Sequence, residues 1–123
     1  MDTRDLSKGA ARRSGGGAGE SLLAAGHRPR ALVCLTDRVS LGAYQALADA
    51  GLSVPGDVSV VSFDDQDIAS ALRPALTTLK LQHYQLGRLA VELILGDGPL
   101  QAAVHRVPLP LRERASIGAP AQG

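Results

Sequence analysis

The chain has 123 residues, 13 basic and 12 acidic side chains, 45% apolar residues and only three aromatic ones, Tyr44, Phe63 and Tyr84. This is enough chain for one domain, whose core must be built from Val, Leu, Ile and Ala. The charge is too evenly balanced to mark nucleic acid or a membrane surface as a partner of these residues.

Residues 1–19 are polar and carry the run Gly15-Gly16-Gly17. They hold too little apolar surface to offset the entropy of ordering, so they read as a flexible tail. They contain no apolar stretch of the kind a signal peptide needs, and no run approaches the roughly 18 apolar residues of a membrane span, so the expected setting is cytoplasmic. Residues 20–26 allow two helical turns, with Gly26 as the stop.

The pattern then becomes regular. Residues 31–35 (ALVCL) form a short apolar run, the mark of a strand covered on both faces. Within it Cys34, the single cysteine, excludes an intrachain disulfide and reads as a small buried hydrophobe. Thr36-Asp37 supplies a helix N-cap. The helix that follows to about Ala50 carries its stripe on Val39, Ala43, Ala46, Leu47 and Ala50. Gly51 ends that helix in the left-handed conformation and Pro55-Gly56 makes a turn.

Residues 58–63 (VSVVSF) are predicted as the second buried strand and residues 65–72 as a short helix, closed by Arg73-Pro74. Residues 76–81 are predicted as a third strand. Residues 84–95 are a helix with a stripe of Leu86, Leu89, Ala90 and Leu93, widened by Val91, Ile94 and Leu95, and are expected to be covered on two sides. Residues 104–111 are extended, but Pro108 and Pro110 confine them to an edge or a crossing segment. Alternating strands and helices with short connections predict an α/β fold built on an open, mainly parallel, doubly wound sheet.

In such sheets ligands bind beyond the carboxyl ends of the strands. Two predicted strands run into carboxylates there, at Thr36-Asp37 and at Asp64-Asp65. Carboxylates accept hydrogen bonds from several directions, which suits a hydroxyl-rich ligand. Asp37 reads equally as a ligand contact or as a helix cap, Asp65 as a cap, and Asp64 as the sharpest candidate because no local duty is visible for it. His83, after the third strand, reads as structural or as a ligand contact. The three histidines, His27, His83 and His105, are scattered, and no Cys or His pair has metal spacing. No nucleophile with its base and no glycine-rich phosphate loop is visible, so neither an enzyme nor a cofactor is expected.

Four segments resemble the LacI/GalR family of transcription regulators. Residues 52–65 (LSVPGDVSVVSFDD) are similar to a family signature, G-hydrophobic-x-V-P-x-D-V-S-V-V-G-F-D-D. Thr36-Asp37 through Ala43 resembles N-D-x-x-A-x-G-A, residues 73–79 (RPALTTL) resemble x-P-P-L-T-T-V, and residues 86–95 (LGRLAVELIL) resemble L-G-x-x-A-V-E-L-L-L. The four lie in family order within residues 36–95.

The resemblance implies that residues 20–120 are the C-terminal lobe of a periplasmic-binding-protein-like domain sensing a small effector, such as a sugar. It implies effector contacts at Asp64, Thr36 and Asp37, with Leu81 and His83 lining the pocket, and a homodimer face at Leu41, Ile68, Ala71 and Leu72. Thr36 stands where the family has Asn, Ser62 where it has Gly, and Leu81 where a polar residue is common. No helix-turn-helix, hinge or N-terminal lobe is read in these residues, so DNA contact is expected only through a segment outside them. The rival readings are the C-terminal lobe of a periplasmic sugar receptor and a receiver-like phosphoacceptor using Mg²⁺ at Asp37, Asp64 and Asp65 with Lys80.

Overall fold

The computed structural model describes residues 15–96 and 103–119. The elements in chain order are α1 (Gly15–Ala24), β1 (Ala31–Val33), α2 (Asp37–Asp49), β2 (Ser59–Asp64), α3 (Asp67–Ala71), β3 (Thr77–Lys80), α4 (His83–Leu95) and β4 (Leu111–Arg112). They form one open sheet in the order β1-β2-β3-β4. β1, β2 and β3 are parallel, and β4 pairs antiparallel with β3. The sheet is therefore mainly parallel, as the alternation of elements predicts. The proline-bearing segment ends at the sheet edge, where Lys80 N–H donates to the Pro110 carbonyl at 2.9 Å.

Successive parallel strands joined by right-handed crossovers place their helices on one face. In agreement, α1 packs on α2, and α2 packs on β2 and α3. The core lies between this layer and the sheet, built from Ala43 and Leu47 of α2, Val60 of β2, and Cys34, Val58, Ala69 and Leu76. Side chains alternate across a strand, so Leu32, Val60 and Ser62 share the face turned to α2. The register places Thr78 of β3 beside Ser62 on the same face.

Several expectations need correction. β1 is not covered on both faces, because Val33 is 70% exposed and Leu35 beyond it 73%. α4 is not covered on two sides either: none of its residues is buried, and Ile94 and Leu95 are each more than 70% exposed. Periodicity states which faces are apolar; what lies against them depends on the rest of the fold. Helix α1 begins at Gly15, inside the span expected as a tail, whereas residues 1–14 lie outside the described residues.

A glycine-rich start argues against a helix by propensity, but tertiary contact overrides it here. A Cβ at Gly19 would stand 2.9 Å from the Ala46 Cβ, so the absent side chain lets α1 approach α2 closely. Gly26 and Gly51 close their helices with φ of +81° and +71°, the left-handed conformation glycine adopts without cost. Gly19→Val should therefore destabilise the fold by about 1–3 kcal/mol, measured by denaturant unfolding. An unchanged midpoint would show that α1 does not need this approach.

Candidate functional site

The carboxyl ends of β2 and β3 and the start of α2 converge on Asp37. Its side chain is wholly buried. Thr36, not Asp37, is the N-cap of α2: its backbone is extended and its Oγ1 accepts from Val39 N–H at 3.3 Å. Asp37 is thereby free to face the sheet. Its Oδ1 accepts from Thr78 Oγ1 at 2.9 Å and from Ser62 Oγ, and its Oδ2 accepts from the backbone N–H of Gln66 at 2.7 Å. A buried carboxylate must recover its lost hydration from protein donors, and these three supply it. The expected role of Asp37 as a ligand contact does not fit this position, since both oxygens are turned into the protein.

Ser62 explains itself here. Where the resemblance has Gly, the hydroxyl of this chain is a donor to Asp37 on the buried face of β2. A serine within the apolar run VSVVSF is the one sequence signal that a polar partner waits there. Thr78 carried no such signal, because threonine is common in strands for its shape alone.

Past the end of β2 the chain turns through two residues with positive φ, Asp64 at 120° and Asp65 at 61°. Neither is a cap. Asp65 Oδ1 accepts from Arg114 Nη2 at 2.7 Å, with Arg112 Nε at 3.7 Å from Oδ2. Asp65 N–H donates to Thr78 Oγ1 at 3.3 Å. Sequence reading missed Arg112 and Arg114, which lie about fifty residues away along the chain. Arg114 is further held by its bond to the Leu76 carbonyl at 2.9 Å.

Asp64 and His83 are brought together. His83 Nε2 lies 2.7 Å from Asp64 Oδ1, joining the end of β2 to the first residue of α4, while Gln66 Nε2 donates to Asp64 Oδ2. The hydrogen bond from His83, and then that from Gln66, holds the Asp64 carboxyl below the usual carboxylate range. The Asp64 side chain is 13% exposed and that of His83 70%, so the pair reaches the surface rather than lying beneath it. Gln66 had no sequence signal; its amide is found only once the turn is folded. Thr36 is half-buried at the start of α2, and Leu81 is half-buried just beyond β3.

The expected dimer residues divide. Leu41, 36% exposed, and Ile68 line one shallow depression together with Arg38, Gln66 and Asp67. Ala71 is exposed, but Leu72 is half-buried against the core and so contributes less to that surface. The carboxylates named in the phosphoacceptor reading are each engaged elsewhere: Asp37 by hydroxyls and an amide, Asp65 by arginine, Asp64 by His83 and Gln66.

A family model described as a periplasmic binding protein-like domain matches residues 1–117. Over 76 residues the chain is 42% identical to a lactose operon repressor of Rhizobium radiobacter, covering 62% of this chain and 67% of that protein. It is 43% identical over 76 residues to a ribose operon repressor of Haemophilus influenzae, covering 62% of this chain but only 23% of that protein. Among solved structures, the lac repressor dimer bound to operator and the anti-inducer ONPF superposes with a TM-score of 0.75 at 30% identity. That match covers 85% of this chain and 37% of the repressor chain. The chain therefore spans well under half the length of the solved repressor. These relatives are transcriptional repressors, which favours the regulator reading over the periplasmic receptor.

Asp64 adds a pH dependence with a definite sign. A carboxyl depressed in the folded state contributes stability that is present above its unfolded pKa, about 3.9, and lost as pH falls through the folded value. The stability difference between the parent chain and Asp64→Asn should be full above about pH 5 and shrink on acidification. Urea unfolding at a series of pH values checks this; a gap that does not vary with pH would show that the charge of Asp64 is not what its partners hold.

Proposed function

The chain belongs to the LacI/GalR family of regulators, through its periplasmic binding protein-like domain, and from that premise we propose that it supplies one wall of an effector-sensing cleft. The observation that carries this is the Asp64–His83–Gln66 cluster at the carboxyl edge of the parallel strands, where open α/β sheets take their ligands. Each Asp64 oxygen uses one direction on a protein donor and retains another for a ligand. The His83 ring and the Gln66 amide add groups that exchange hydrogen bonds with hydroxyls. Such a set suits a small, hydroxyl-rich effector. The relatives' names, lactose and ribose operon repressors, support a sugar.

The reaction class is sensing rather than catalysis, and it needs no cofactor. Binding at one wall shifts an equilibrium only if the effector contacts one state better than another, which requires the second wall of the cleft. DNA is then contacted through a separate domain of the assembled regulator, in the cytoplasm. Among the described residues no helix is long and apolar enough to cross a membrane.

In a regulator assembled with this lobe, Asp64→Asn should weaken binding of the recognised sugar by roughly 10- to 150-fold, the cost of one charged hydrogen bond. Titration calorimetry over a panel including ribose and lactose measures it. Unaltered affinity for a sugar that does bind would remove Asp64 from the site.

The second surface is the depression at Leu41 and Ile68. Leu41 points away from the α2 stripe formed by Ala43, Ala46 and Leu47, leaving it available to a second copy of the chain. Leu41→Lys should shift the chain toward monomer in sedimentation. Equal association of parent and variant would move the dimer face elsewhere.

A further inference from the structure

Two consecutive residues other than glycine at positive φ are costly, and such strain persists only where the surroundings over-determine it. At Asp64 and Asp65 the surroundings lead to one group. Gln66 N–H, just after the turn, donates to Asp37 Oδ2 at 2.7 Å. Asp65 N–H, within the turn, donates to Thr78 Oγ1 at 3.3 Å, and that hydroxyl donates its own proton to Asp37 Oδ1 at 2.9 Å. The Thr78 hydroxyl is thus a relay: accepting from the turn, it must spend its proton on Asp37. Ser62 also donates to Oδ1, but it lies on β2 before the turn begins.

From this geometry we infer that Asp37 is a positioning residue for the effector site: through Thr78 and the Gln66 main chain, its buried carboxylate holds the strained turn that presents Asp64 beside His83. Asp37 does not touch the ligand. The inference rests on the reading of Asp64 as the effector contact, but its consequence for Asp64 does not require an effector. With Asp37 or the Thr78 hydroxyl removed, the turn loses a fixed end and relaxes toward ordinary backbone conformations. Asp64 then leaves the reach of His83 Nε2 and Gln66 Nε2. With the buried charge intact, the same two partners hold the Asp64 carboxyl below its ordinary range.

The test follows the Asp64 side-chain carboxyl by carbon-13 NMR against pH in the full chain. Asp37→Asn and Thr78→Val should each raise the Asp64 titration midpoint toward that of an ordinary carboxylate. Thr78→Ser, which keeps the relay hydroxyl, should leave it at the parent position. Ser62→Ala should lower the melting temperature yet leave the Asp64 midpoint in place, because it removes a donor to Asp37 without releasing the turn. Should Asp37→Asn fail to fold, the Thr78→Val and Thr78→Ser pair decides alone. An Asp64 titration unmoved in folded Asp37→Asn and Thr78→Val chains overturns the inference and leaves Asp37 as core structure only. That result would not touch the effector reading, which stands or falls on sugar affinity in Asp64→Asn.

Discussion

A carboxylate taken wholly out of water must be solvated by the protein, and Asp37 draws that solvation from three separate pieces of chain. Its donors come from β2, from β3 and from the start of α3, while its own backbone opens α2. Removing any one donor leaves part of a buried charge unpaired, which costs more than an ordinary hydrogen bond contributes. The arrangement therefore specifies register as well as stability. Ser62 and Thr78 can reach one oxygen only when β2 and β3 pair as they do. The apolar contacts around Leu47, Val60 and Leu76 supply the bulk of the burial, but they would tolerate small slips that the hydrogen bonds would not.

The opposite end of the sheet has its own clasp. Thr77 N–H donates to Ser116 Oγ at 2.7 Å, Ser116 Oγ donates to the Val60 carbonyl at 2.6 Å, and Val60 N–H donates to the Ser116 carbonyl at 2.9 Å. Arg114, two residues earlier in the same strap, reaches forward to Asp65 beyond the carboxyl end of β2. The last described segment thus touches the sheet at both ends, and through Arg114 it bears on the strained turn. The turn is held from below by Asp37 and Thr78 and from the side by the strap. Asp64, at the start of the turn, is steadied by His83 and Gln66.

The layer of helices is one-sided. Helix α2 packs on α1 and α3, whereas α4 carries a full apolar stripe without a buried residue. An uncovered helix of this composition is unusual for a monomer in water. Asp64, His83 and Gln66 gather at the carboxyl edge of the parallel strands.

Much of this was legible beforehand because it is local. Apolar runs and stripes placed β1, β2, β3, α2 and α4 to within a few residues. Glycines at 26 and 51 placed helix ends by their left-handed φ, and the signature around residues 52–65 named Asp64 as the residue of interest. The sequence by itself determined the element order, the parallel sheet and the family. Tertiary structure alone decided that Thr36 caps α2 and Asp37 turns inward, that Asp65 belongs to Arg114, and that His83 meets Asp64. It also decided that Gly15 to Gly19 can be helical, because the close approach of α1 to α2 overrides propensity. The physical reason is the same throughout. Periodicity and capping are written in neighbours a few residues apart, whereas the partner of a buried charge is chosen by whichever donor, at any sequence distance, the folded sheet brings within three ångströms of it.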